Sequence, residues 1–545
     1  MRNTDKFKPL RFGTSGLRAL VTEMTDMECY INTMGFIFFL KRRGEINEKQ
    51  KRIALGGDLR FSTRRIMSAV AEAIKDSGCE IDFCGEVPTP TLTYYAMQNG
   101  MPSMIVTGSH IPDDRNGIKF TKKAGEILKE DEPDILANVA EARKTEYNKD
   151  EKETQFDSSG MFKSTQPLPG SDKKAVDFYI RRYTETFPAG CLSGLKIVQY
   201  QHSAVGRDII KEIFGKLGAE IIPAKRSDKF VAVDTEKVTD QTRALLKELA
   251  GEYSPFAVIS TDGDSDRPLL ADENGEFLPG DKLGVLVSMY LKPDFAAIPI
   301  SANDAVVSTL KEEGVKVVRT KIGSPYVVKA MNDELAKDPE AGVVSWESNG
   351  GYLLGSDWKI GDKALKALPT RDTALPLLAV ILLARGKNIS ISELIKKSLP
   401  HRYTYADLLR EYPMEVSQKI ITSFSPPKEL KIAEVEFEKK KIEYLDGKEE
   451  DLGSDKKLSD PLVETKENLS KGYFTPELGF SAISAINFID GIRIAFTNGD
   501  VSHLRPSGNA PEFRNYATAD TQERAEEIVR TGIGKILPKM REDLE

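Results

Sequence analysis

Residues 101–112, MPSMIVTGSHIP, decide how the rest of the chain is read. A short apolar run, 101–106, passes straight into a polar turn, Thr107-Gly108-Ser109-His110-Ile111-Pro112. An apolar run of that length bounded by turn residues is the pattern of a strand buried on both faces. Upstream, 52–58 (RIALGGD) and 80–87 (EIDFCGEV) read as two more strands. Between them a helix starts after Ser62, a good N-cap, and stops near Gly78; Pro88, Thr89 and Pro90 open a second. Strand alternating with helix predicts a parallel or mixed sheet, an α/β fold.

The rhythm restarts twice. One set is 195–200, a helix over 206–217, then 220–223 and 256–260. The next is 297–301, a helix from Asp304, then 315–320 and 343–346. Each set ends in a strand that leads into an unusually polar loop, and ligands of open α/β sheets sit at the carboxyl ends of strands. Similar domains in tandem are expected. The C-terminal part returns to strands at 492–496 and 513–519, then a helix over 521–537. Residues 148–174 read as a linker, and 438–471, dense in Lys, Glu and Asp, as a solvated hairpin or flexible surface excursion.

A chain of 545 residues exceeds one hydrophobic core, and 40% hydrophobic with 30% charged residues is ordinary for a globular protein. The net charge of -7 argues against general nucleic-acid binding. Cys29, Cys79, Cys84 and Cys191 form no CxxC pair or disulfide framework, which predicts a reduced, cytoplasmic setting. The polar first ten residues carry no apolar leader pattern, and 31–40 (INTMGFIFFL) is too short to span a bilayer, so it reads as a buried helix and no membrane partner is expected.

Four loops carry chemistry. In the first, Ser109 has exposed flanking N–H groups and His110 beside it, as suits a nucleophile or phosphate carrier. No G-x-S-x-G elbow is present, which excludes an α/β-hydrolase reading of that serine. Downstream, Asn116-Gly117-Ile118-Lys119-Phe120 puts Lys119 on a strand, a candidate acid or base. The second loop, Asp262-Gly263-Asp264-Ser265-Asp266-Arg267, offers three carboxylates at alternate positions, hard oxygen ligands for Mg²⁺ or Ca²⁺. An EF-hand fails because Arg267 occupies the sixth position, where the tight turn needs Gly, and a strand precedes the loop. The third, Trp346-Glu347-Ser348-Asn349-Gly350-Gly351, has short polar side chains suited to sugar hydroxyls. The fourth, Arg505-Pro506-Ser507-Gly508-Asn509-Ala510-Pro511 with Arg514 following, makes an anion cradle of guanidinium forks and backbone N–H groups. No G-x-x-x-x-G-K-[ST] sequence supports a nucleotide.

With these loops in order, and with Arg11-Phe12-Gly13-Thr14-Ser15-Gly16-Leu17-Arg18 near the start, the chain resembles the α-D-phosphohexomutase family over nearly its whole length. The resemblance implies four domains around a central cleft: three related mixed α/β units and a smaller α+β C-terminal domain. The boundaries expected are 1–165 for the phosphoserine loop, 166–278 for the metal loop, 279–402 for the sugar loop and 403–545 for the phosphate site. It implies that Ser109 is the phosphoserine and that Asp262, Asp264 and Asp266 hold Mg²⁺ with a phosphoserine oxygen. Arg18 and Arg267 would contact the phosphoryl group, and His110 and Lys119 are acid/base candidates. Glu347 and Asn349 stand where the family contacts sugar hydroxyls. Arg505, Ser507, Gly508, Asn509 and Arg514 would bind the phosphate that is not being transferred. The implied reaction passes through a hexose 1,6-bisphosphate, which also acts as activator.

Departures from the family pattern are Ile111 for a common Asn, Asn509-Ala510 for Thr-Glu, and Trp346 and Asn349 for Gly and Ser of the sugar loop. They bear on sugar selectivity more than on reaction type. The first loop with its Asp113-Asp114-Arg115-Asn116 turn and Arg402-Tyr403-Thr404 are most similar to bacterial phosphomannomutase-type members. The expected reaction is therefore mannose 6-phosphate to mannose 1-phosphate, with phosphoglucomutase or dual specificity as the alternative. A silent sugar-phosphate binder and a net phosphatase are the rivals from other classes.

Overall fold

The computed structural model describes residues 9–13, 16–453, 457–507 and 511–544. These gather into two compact units. The first holds the chain up to Ile298 with Leu310–Val318 and Gly323–Ser398; the second holds Pro299–Thr309, Arg319–Ile322 and the chain from Leu399.

The first unit is built on one strand pattern used three times, which carries the tandem reading. In the first sheet Glu80–Glu86, Arg52–Gly57 and Ser103–Val106 run parallel, then Arg115–Lys122 and Gly16–Leu20 continue antiparallel. The second sheet repeats this order with Glu220–Arg226, Lys196–His202, Ala257–Thr261, Pro268–Ala271 and Phe277–Leu278. The third follows with Lys316–Thr320, Phe295–Pro299, Val343–Trp346, Tyr352–Leu354 and Leu368–Asp372. Ser103–Val106, Ala257–Thr261 and Val343–Trp346 occupy the same place in their sheets and are buried at every residue. The three polar loops are therefore equivalent: each turns the chain from the last parallel strand into the antiparallel one.

The apolar run 31–40 lies within the helix Asp26–Arg42, as expected. Thr25 caps it by accepting from the Glu28 N–H at 3.3 Å, and Lys41 and Arg42 end it where the helix dipole favours cations. Gly35 lets the helix Glu132–Tyr147 approach so closely that a Cβ there would meet Val139 at 2.5 Å. Residues 148–174 are more than a linker. Phe156 is fully buried and stacks on Phe162 at 4.9 Å, and Phe162 N–H donates to Asp26, which straps the segment to that helix. Scattered aromatics supply the anchoring that the polar composition concealed.

The second unit carries an eight-stranded antiparallel sheet in the order Tyr403–Arg410, Glu512–Ala519, Val501–Pro506, Ile492–Phe496, Ile483–Asn487, Ile432–Glu436, Lys441–Tyr444 and Glu449–Asp451. The expected hairpin of 438–471 is its outer edge. The flexible alternative does not hold from Asp460 on, because the helix Asp460–Gly472 buries Leu462 and Leu469, seven residues apart on one face. Among the described residues no single helix is long and apolar enough to cross a membrane.

Candidate active site

The three equivalent loops come together in the first unit. Each turns through one left-handed residue: Ser109 at φ 55°, Ser265 at φ 55° and Gly350 at φ 87°. For a serine that conformation is costly and persists only where the surroundings enforce it. Ser109 N–H donates to Thr107 Oγ1 at 2.8 Å, and Ser109 Oγ donates to Asp262 Oδ2 at 2.6 Å. His110 Nδ1 lies 3.4 Å from the same hydroxyl.

The aspartate loop is braced from all three α/β units. Thr89 donates its N–H to Asp264 O at 3.0 Å and its hydroxyl to Asp264 Oδ2 at 2.6 Å. Gly206 N–H donates to Ser265 Oγ at 2.9 Å, and Thr373 Oγ1 to Ser265 O at 2.5 Å. Inside the loop, Asp262 Oδ1 accepts the N–H groups of Asp266 and Arg267, both at 3.2 Å.

Asp262, Asp264 and Asp266 are fully buried, and each can offer an oxygen within 4.8 Å of the others. Burial, and then the charges of Asp264 and Asp266, push the Asp262 carboxyl well above the usual range. Burial also opposes ionisation of Asp264 and Asp266, but Lys119 beside the first and Arg371 beside the second outweigh it and hold both below that range. Lys119 Nζ donates to Asp264 Oδ2 at 2.6 Å and Asp266 Oδ2 at 2.8 Å. These carboxylates more than offset its own burial, so the ammonium stays above its ordinary pKa.

Asp264 Oδ1 and Asp266 Oδ1 are buried without a hydrogen-bond partner among the described residues. Buried carboxylate oxygens without donors are costly. Two such oxygens, converging with those of Asp262 and with no thiol or imidazole among them, fit Mg²⁺.

Cations ring the carboxylates. Arg267 Nε lies 3.9 Å from Asp262 and 3.7 Å from Asp266. Arg18 projects from Gly16–Leu20 and is exposed. Desolvation, then Arg267, lowers its pKa to about 10, which still leaves it protonated at neutral pH. The same two causes, burial and then Arg267, draw His110 down to about 3, leaving a neutral imidazole.

Glu347 is buried and bound by Arg371, which donates to Glu347 Oε2 at 2.8 Å and to Asp266 Oδ2 at 3.0 Å. Arg371 thus joins the sugar loop to the metal loop. Asn349 turns its side-chain oxygen back to accept Gly351 N–H at 2.9 Å, so part of its polarity maintains the turn. Trp346 fits where the family has Gly because Gly284 leaves the slot: a Cβ there would meet the indole at 2.2 Å.

In the second unit, Arg505 and Arg514 pair across adjacent strands, and Ser507 N–H donates to Glu512 O at 2.8 Å. Gly508 and Asn509 lie outside the described residues, as do Thr14 and Ser15 of the opening motif. The loop reading missed Arg371, which sits on a later strand, and Asp58 with Arg60, at the end of the first strand. The rule that polar residues at strand ends matter would have reached Asp58, the last residue of the run RIALGGD.

Comparison with known proteins places this geometry. The description "Phosphoglucomutase/phosphomannomutase, alpha/beta/alpha domain" is matched three times, as domain I over residues 9–146, domain II over 177–275 and domain III over 279–402. The chain belongs to this family, the α-D-phosphohexomutases, and is an intramolecular phosphotransferase of the isomerase class. More particularly, it is 38% identical over 531 residues to a phosphomannomutase of Salmonella muenchen, covering 97% of this chain and 96% of that one. A phosphomannomutase of Sinorhizobium fredii is 34% identical, with coverages of 97% and 99%. Among solved structures, a phosphoglucomutase/phosphomannomutase family protein from Burkholderia thailandensis shares the fold, with a TM-score of 0.65, 16% identity and coverages of 99% and 98%.

Proposed function

We propose that this chain is a phosphomannomutase that interconverts mannose 6-phosphate and mannose 1-phosphate by way of phosphorylated Ser109. One observation carries the proposal: the Ser109 hydroxyl lies 2.6 Å from Asp262, beside two aspartates with unpartnered oxygens. Its likeness to relatives named phosphomannomutase supports mannose.

In the forward direction the sugar's hydroxyl oxygen bonds to the phosphorus of phosphoserine, and the Ser109 Oγ–P bond breaks. Lys119 and His110 are the acid/base candidates: the neutral imidazole can accept the hydroxyl proton, whereas the Lys119 ammonium, held charged by Asp264 and Asp266, can donate one. Arg18 and Arg267 balance charge on the moving phosphoryl group. Bound Mg²⁺, held by Asp262, Asp264, Asp266 and a phosphoserine oxygen, would supply further charge neutralisation. Glu347 and the Asn349 amide fix the sugar by its hydroxyls. Arg505, Ser507, Gly508, Asn509 and Arg514 hold the phosphate that stays. The hexose 1,6-bisphosphate then turns end for end and rephosphorylates Ser109, and free bisphosphate primes enzyme that has lost its phosphate. Four unpaired cysteines fit a reducing cytoplasmic setting.

Coupled assays on mannose 1-phosphate and glucose 1-phosphate, with inorganic phosphate measured in parallel, test the reading. Faster turnover of mannose with little phosphate release supports it. Preference for glucose would move the assignment to phosphoglucomutase, and phosphate release without isomerisation would make the chain a hydrolase.

A further inference from the structure

We infer that Arg60 is the positioning residue that shapes the phosphoserine loop and aims Ser109 at the aspartates. The inference rests on Ser109 being the phosphoryl carrier.

Arg60 touches none of the three aspartates, and its side chain is fully buried. Its guanidinium has five N–H donors, and all five are used. Nε donates to Asp58 Oδ2 at 3.2 Å. One terminal nitrogen donates to Pro112 O at 2.8 Å and Arg115 O at 3.1 Å; the other to Ser109 O at 2.8 Å and Ile111 O at 2.6 Å. Four carbonyls of one loop thus converge on a single cation. Without it their dipoles would face one another in a dry interior.

Gly108 is the residue that permits this, since a Cβ there would lie 2.6 Å from Arg60 Cζ. The Phe230 ring covers the guanidinium at 3.9 Å and also packs against Gly263 of the aspartate loop. Asp58 completes the template from the other side. It accepts from Thr107 Oγ1 at 2.7 Å and Gly108 N–H at 3.3 Å, and Thr107 in turn holds Ser109 N–H. The left-handed turn at Ser109 is therefore clamped at its N–H by Asp58 through Thr107 and at its carbonyl by Arg60. Ile111, a departure from the family, is used here through its carbonyl, which explains why its apolar side chain is tolerated.

Arg60→Lys tests the inference, because lysine keeps the charge beside Asp58 but lacks the planar fork that serves four carbonyls. A small misplacement of a reacting atom costs roughly 100-fold in rate, so kcat should fall by about that factor. KM for the sugar phosphate should stay within roughly threefold, since Arg60 contributes no substrate contact. Phosphate release per turnover should rise, as water oxygen bonds to phosphorus, the Ser109 Oγ–P bond breaks and a proton returns to Oγ. Thr107→Val is the second variant, should Arg60→Lys not fold: it cuts the link from Ser109 N–H to Asp58 and should shift the same parameters in the same direction. Wild-type protein is first primed with hexose 1,6-bisphosphate and checked for phosphate on Ser109; its absence after priming would overturn both the carrier assignment and this inference. With wild type phosphorylated, a folded variant with wild-type kcat and phosphate release overturns the role of Arg60 alone. So does a variant whose KM rises while kcat holds.

Discussion

Arg505 and Arg514 stand directly opposite one another on the antiparallel strands Val501–Pro506 and Glu512–Ala519, so two cations share one face of the sheet. Like charges in such a pair are destabilising unless something compensates. Asp490 accepts from Arg505 Nε at 2.8 Å and Glu512 from Arg514 at 3.3 Å. Arg514 Nε remains buried without a hydrogen-bond partner among the described residues. A dianionic phosphate bound here would answer both cations at once. A charge-assisted bond of this kind is worth about 1.5–3 kcal/mol. Arg505→Ala should therefore lower kcat/KM roughly 10- to 150-fold, equally in both directions, because one cradle serves both orientations of the bisphosphate. Paired forward and reverse kinetics with phosphoserine content checked will decide, and loss in one direction alone would refute the shared cradle.

Ser109→Ala removes the phosphoryl acceptor and leaves the scaffold intact. Turnover should drop by more than about a thousandfold, as it does when a covalent nucleophile is lost. Peptide mass analysis should find phosphate on Ser109 in the wild type. An active alanine variant carrying phosphate on Ser103 instead would sink the assignment.

Metal removal should act on stability as well as on rate. Chelation should abolish turnover, and Mg²⁺ should restore it. At about 100 times its dissociation constant, a ligand specific to the folded state adds about 2.7 kcal/mol, enough to raise the melting temperature visibly. Asp264→Asn should blunt that rise. Full activity in metal-free protein, or a metal-induced shift that persists unchanged in Asp264→Asn, would contradict the site.

Two buried histidines set an acid limit. His202 Nε2–H donates to Thr261 O at 2.8 Å and His503 Nε2–H to Asp490 O, while both Nδ1 atoms lack a hydrogen-bond partner among the described residues. Burial draws each pKa down to about 4. Below the unfolded value near 6.5 the unfolded chain binds protons that the folded chain refuses, so stability falls with pH from about 6.5 down to about 4 and then levels off. Each histidine accounts for about 3 kcal/mol over that window, at 1.36 kcal/mol per pKa unit. Denaturant titrations at pH 7 and pH 4.5 should show the loss, and His202→Gln should flatten it. An unchanged slope in that variant would show that the pH dependence has another source.

How much of this was legible depended on whether the signal was local. Strand, polar loop and return strand lie side by side in the sequence, so Ser109, Asp262 and Glu347 could be found from apolar runs and their ends. Lys119 was visible as a lysine on a strand, but its contact with Asp264, 145 residues away, was not. Arg60 and Arg371 carry no local mark: each is an arginine near a strand end, and only the packing of distant segments turns one toward four carbonyls and the other between two carboxylates. The charged stretch 438–471 misled for a related reason. Charge hid the two leucines, Leu462 and Leu469, that fix its helix.

The braces on the aspartate loop bear on how such an enzyme comes into being. Thr89, Gly206 and Thr373 stand where helices start after strands of three separate sheets, yet all three hold Asp264 or Ser265 in place. No one of these sheets, released alone from the ribosome, owns a finished transfer centre. The braces are complete only when all three sheets are in place, so a chain interrupted before the third lacks part of the frame that holds its aspartates. The same dependence resists exchange of modules between relatives. A transplanted middle segment would bring its aspartates but leave behind the hydroxyls that aim them.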